Sequence, residues 1–79
     1  MSIDDAIQDM QSMITSVSAD AQIKIVKMSD EEARISVLAP AADLQKIKDV
    51  TFLPAMNFLN DEGFDLQVQV YDKDRPLTA

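Results

Sequence analysis

The side chains in this sequence whose type and clustering come closest to catalytic or metal chemistry are carboxylates. They stand at Asp4-Asp5, Asp30-Glu31-Glu32, Asp61-Glu62 with Asp65, and Asp72 with Asp74. Such groups bind hard cations through oxygen or work as acid–base pairs. None follows the Asp-x-Asp-x-Asp-Gly order of a calcium loop, and each is explained structurally at a helix start, a hairpin turn, a helix end or a terminal stretch. The chain holds no Cys and no His. That removes disulfides, thiolate and imidazole metal ligands, cysteine nucleophiles and imidazole acid–base catalysis. The single glycine, Gly63, cannot form the phosphate-cradling loops that need several residues without side chains. No serine lies in a nucleophile elbow, and without His a serine nucleophile needs a lysine base that no spacing here supplies. The sequence is therefore read as non-enzymatic, with no catalytic residue, metal ligand or cofactor, and no small-molecule site is evident in it.

Stepping from side chains to the whole chain, 79 residues with 47% apolar and 27% charged content suit one small globular domain with a thin core. The net charge is −7, and both ends carry it. Asp4, Asp5, Asp9 and Asp20 precede the first cation, the stretch from Lys24 to Asp49 is balanced, and Lys73 and Arg75 are outnumbered by acids from Val50 onward. Nucleic-acid affinity comes largely from Lys and Arg displacing counterions at phosphates, so nucleic acid is an unlikely partner. Anionic membrane surfaces are disfavoured for the same reason. No apolar run approaches the length of a membrane span, and Ser2-Ile3-Asp4-Asp5 has neither the basic nor the apolar region of a secretory signal. A cytoplasmic location is the resulting expectation.

Hydrophobic periodicity predicts the elements. Ile3, Ile7, Met10, Ile14 and Val17 recur at steps of four and three, one apolar stripe on a helix, with Ser2 and Asp5 spaced as a capping box. Ser16, Ser18 and Asp20 end it near Val17. Ala21–Met28 reads as a strand through Ile23 and Ile25 that loses step at Val26 and Met28, which implies a bulge or a partly covered second face. The polar turn Ser29-Asp30-Glu31-Glu32 leads to a second strand over Ala33–Ala39, and two strands so close form an antiparallel hairpin. Residues 41–62 are helical by composition, but Pro54 interrupts them. Either two short helices, about 41–50 and 54–62, or one kinked helix results, and the two-helix reading is preferred. Gly63 suits a left-handed helix end. Phe64, Leu66, Val68 and Val70 then alternate with Asp65, Gln67, Gln69 and Tyr71 in the clearest strand. Of the five Met residues, Met10 and Met13 fall on or beside the core stripe, and only Met28 is a surface candidate. Residues 1–72 form the domain, and 73–79, without periodicity, a flexible tail.

The order α-β-β-α-(α)-β builds an α+β two-layer sandwich, a three-stranded sheet with its helices on one face. Ile23, Ile25, Ile35, Val37, Leu66, Val68 and Val70 face Ile7, Met10, Ile14, Leu44, Ile47, Phe58 and Leu59. The opposite face is polar except for Val26, Met28, Leu38 and Tyr71, a candidate protein-interaction patch.

In element order, over most of its length, the chain resembles the type II KH domain and the carboxy-terminal domain of NifU-type iron–sulfur scaffold proteins. KH domains clamp RNA backbone with a GxxG loop between their central helices, where this chain has Val50-Thr51-Phe52-Leu53-Pro54. The NifU-type domain carries a CxxC cluster-ligand motif after its second strand, where Ala39-Pro40-Ala41-Ala42 stands here. The resemblance implies a scaffold of that shape and carries over no binding residues.

Two functional readings follow. The first is a small acidic interaction or adaptor module that binds a protein partner or itself as a homodimer, through the open sheet face or an edge strand whose backbone groups are unpaired. The alternative is weak nucleic-acid binding on a KH-like or NifU-like scaffold through Lys24, Lys27, Arg34, Lys46 and Lys48. Because no carboxylate group has cation-site spacing, millimolar magnesium or calcium is expected to leave the melting temperature unchanged, measured by circular dichroism; a rise of several degrees would establish a cation site.

Overall fold

A computed structural model describes residues 1–74. Helix α1 spans Ile3–Val17, strand β1 Gln22–Lys27 and strand β2 Glu32–Ala39; a 3₁₀ turn at Ala41–Asp43 leads into helix α2, Leu44–Glu62, and strand β3, Asp65–Asp72, follows. Residues 75–79 of the expected tail lie outside the described residues.

Local chemistry sets the ends of α1. The Ser2 hydroxyl accepts the Asp5 N–H at 3.3 Å, and the Ser2 N–H donates to the Asp5 carboxylate at 3.2 Å, closing the capping box. Asp4 and Asp5 lie in the first turn, where the helix dipole favours anions. The stripe of Ile3, Ile7, Met10 and Ile14 is buried as its spacing predicts. At the other end Ser18 leaves helical geometry with φ −148° and ψ 89°. Its buried hydroxyl donates to the Asp43 carboxylate at 2.8 Å, tying the end of α1 to the turn that opens α2.

The strands lie in the order β1-β2-β3. β1 and β2 form the expected antiparallel hairpin, and its register runs unbroken from Gln22 opposite Leu38 to Lys27 opposite Ala33. The bulge considered at Val26 is absent: Val26 keeps step with Gln22 and Lys24, so its side chain points to the open face. β3 lies parallel to β2, from Asp65 opposite Glu32 to Asp72 opposite Ala39. A parallel neighbour needs a long crossover, which α2 provides. The core is centred on β2, where Ala33, Ile35, Val37 and Ala39 are all fully buried beside Met10, Ile14 and Ile47.

Residues 44–62 form one helix with Pro54 inside it, which corrects the preferred two-helix reading. Proline removes one donor and disturbs the preceding turn, at a cost of roughly 3 kcal/mol. Ile47 and Thr51 before it and Ala55 and Phe58 after it all pack toward the same core, and that shared burial carries the helix across the break. The Thr51 hydroxyl, buried in the same turn, donates to the Ile47 carbonyl at 2.8 Å, so this buried side-chain hydroxyl is matched. Gly63 ends α2 at φ 73°, a left-handed conformation that side chains resist. Leu59, expected in the core, is exposed, and Met56 joins Met28 as an exposed methionine.

Pro54→Ala returns an N–H to the middle of α2, and is expected to raise stability by about 1–3 kcal/mol in urea unfolding. A lower stability would show that the proline is required by the packing.

Candidate functional site

The four residues of the sequence-derived patch share the open face but fall into two pairs. Leu38 is directly opposite Tyr71, both half-buried, and the Tyr71 hydroxyl donates to the Gln69 side-chain oxygen at 2.8 Å. Val26, 41% exposed, is opposite Arg34, and Met28, 42% exposed, follows the end of β1. Lys24, Ser36 and Gln69 form the row between the pairs. Four residues of strand separate Arg34 from Leu38, roughly 13 Å, so the patch is divided by polar side chains.

A second apolar surface lies on the other side of the sheet, between α2 and β3. The short turn through Gly63 sends β3 back alongside α2 in the opposite direction. One flank of α2 is buried through Ile47 and Thr51. A second flank carries Phe52, Met56 and Leu59, which are 63%, 44% and 51% exposed. Together with Thr51 and Ala55 they wall a groove of about 480 Å³ whose floor is Leu66, Val68 and Val70 of β3. Lys48 and Asp65 complete its lining. Lys48 lies roughly 20 Å along the helix axis from Glu62, the last residue of α2, so the flank of the helix that walls the groove has a cation towards one end and an anion at the other. Leu53, also exposed, stands outside the lining.

Backbone polarity makes this groove an acceptor for extended chain. The Asp65 N–H donates to the Glu31 carbonyl at 2.7 Å, and the Lys73 N–H donates to the Ala39 carbonyl at 2.9 Å. Strand alternation therefore turns Asp65, Gln67, Gln69, Tyr71 and Lys73 toward β2. The N–H and C=O groups of Leu66, Val68 and Val70 point to the free edge, and the side chains of the same residues floor the groove. The opposite edge, β1, contains Lys24 and Lys27, a common device for blunting an edge; β3 contains no cation.

The other ionic groups do not assemble into a site. Lys27 pairs with Asp4 at 3.3 Å on the surface, and Lys46 lies 3.9 Å from Asp43. Lys24 and Arg34 stand on the open face and Lys48 at the groove, so the five cations weighed for nucleic acid are spread over different faces. Val50–Pro54, the counterpart of the KH loop, is interior to α2 and forms no loop. Among the described residues no group of three or more carboxylates is placed to hold a metal ion, and no helix is long and apolar enough to cross a membrane.

Sequence reasoning missed the groove although its signal was present. Phe52, Met56 and Leu59 follow a helical stripe offset from Ile47, Thr51, Ala55 and Phe58, and the pattern becomes visible only when 44–62 is read as one helix. Compared with known proteins, the chain matches no protein-family model, no curated protein and no solved structure.

Proposed function

We propose that this chain is a small non-enzymatic protein-interaction module acting in the cytoplasm, and that it binds an extended protein segment along β3. The observation that carries this reading is the coincidence of edge groups at Leu66, Val68 and Val70, without a strand partner among the described residues, with exposed Phe52, Met56 and Leu59 on the adjoining wall. Strand addition takes its affinity from main-chain hydrogen bonds and its selectivity from pockets beside alternate side chains. Both parts are present in one groove. The absence of Cys and His from the sequence supports a role without chemistry of its own.

The divided patch on the open face offers less. Its two apolar pairs are separated by the polar row of Lys24, Ser36 and Gln69, and the backbone groups of Val26, Leu38 and Tyr71 face neighbouring strands within the sheet. Binding through the groove therefore depends on Phe52, whereas Val26 is dispensable.

Immobilised protein is expected to capture partner protein from native lysate in the wild type and in Val26→Asp, and to lose at least about 30-fold in capture in Phe52→Asp, the effect of removing a central aromatic anchor. Thermal unfolding of both variants should stay close to wild type, since both positions are exposed. Equal capture by Phe52→Asp would contradict the assignment, and unfolding of that variant would show Phe52 to be core.

A further inference from the structure

Resting on the reading of the α2–β3 groove as a strand acceptor, we infer that the strand it accepts is β3 of a second copy of this chain. The two strands pair antiparallel about a two-fold axis at Val68, joining two three-stranded sheets into one of six strands.

The edge is self-complementary in that register. Val68 meets Val68 of the second copy and Leu66 meets Val70, twice. These are the residues whose N–H and C=O groups are free, so each apolar contact coincides with a ladder position. A register shifted one ladder step one way would set Leu66 against Asp72 and strand a carboxylate beside an apolar side chain; shifted the other way it would call on Phe64, which is buried and whose N–H already donates to the Phe58 carbonyl at 3.1 Å.

The wall of the groove obeys the same symmetry. Along α2, Lys48, Phe52, Met56, Leu59 and Glu62 follow one another at steps of four, four, three and three, a continuous flank. It begins with a cation, ends with an anion and is apolar between them. Turned end for end against itself, Met56 meets Met56, Phe52 meets Leu59, and Lys48 meets Glu62. The helix midpoint and the strand midpoint also coincide. Met56 lies roughly 9 Å from Glu62 along the helix and Val68 roughly 10 Å from Asp65 along the strand, so one axis serves both elements. Among the described residues neither Lys48 nor Glu62 has an ion-pair partner within its own chain. A parallel pairing would bring the acidic ends, Glu62 and Asp65 with Glu31 and Glu32 beside them, into contact with each other. Closed two-fold association of this kind is the commonest form of homo-oligomer.

Sedimentation equilibrium of the full chain, from about 1 µM to 1 mM, tests the inference. The mass is expected to rise from 8.8 kDa to twice that value. Val68→Pro, which removes an edge N–H that has no partner among the described residues, and Phe52→Asp on the exposed flank should each abolish the rise. Lys48→Glu and Glu62→Lys should each weaken association severalfold, and the double exchange should restore it. Both charge changes favour the dipole of α2, so a loss in either is not a loss of folding. A wild-type chain that stays at single mass throughout would overturn the second copy as occupant, while Phe52-dependent capture from lysate would still uphold the groove. A dimer unaffected by Val68→Pro and Phe52→Asp would likewise overturn β3 of a second copy as the occupant, leaving the groove to be judged by the Phe52 dependence of capture.

Discussion

Two helices must cover three strands, and the rest of the structure depends on that shortage. A chain of 79 residues cannot bury both faces of a sheet and both of its edges. The helix layer is spent on the middle: all four inward side chains of β2 are fully buried, whereas Ile23 and Ile25 of β1 and Val68 and Val70 of β3 are only half covered. The part-buried bond from Ser18 to Asp43 fixes where α2 starts relative to α1, and Gly63 fixes where it ends. Between those two points the helix runs beside β3 with one flank inward and the other outward. The groove is the space left over by that geometry.

The two edges of the sheet are managed differently. β1 contains two lysines, which discourage another strand from docking. β3 contains no cation, and its outer backbone groups, without a strand partner among the described residues, lie beside an apolar wall. An exposed aromatic, methionine and leucine on a helix flank are costly to solvate unless another surface covers them.

Much of this fold is legible in the residues. The capping box, the stripe of α1, the hairpin, the left-handed Gly63 and the strict alternation of β3 all act over a few residues, and their sequence signals are correspondingly local. The continuity of α2 is not local: whether a helix survives a proline depends on what both halves pack against, and neither Ile47 nor Phe58 announces its neighbours in the sequence. The error at Pro54 then concealed the outer flank, because a stripe from Lys48 to Glu62 exists only on an uninterrupted helix. The division of the open-face patch was hidden for a different reason. Alternation assigns Val26, Met28, Leu38 and Tyr71 to one face correctly, but the register that sets them about four residues apart along the strands is a tertiary fact.

Residue-resolved amide hydrogen exchange of the dilute protein addresses the central claim, that β3 is an open edge, most directly. The account predicts alternation within one strand: the amides of Gln67, Gln69 and Tyr71 exchange slowly because β2 accepts them, and those of Leu66, Val68 and Val70 exchange orders of magnitude faster. Uniform protection along β3 at concentrations where the chain has single mass would contradict it, since those amides would then have partners within the chain.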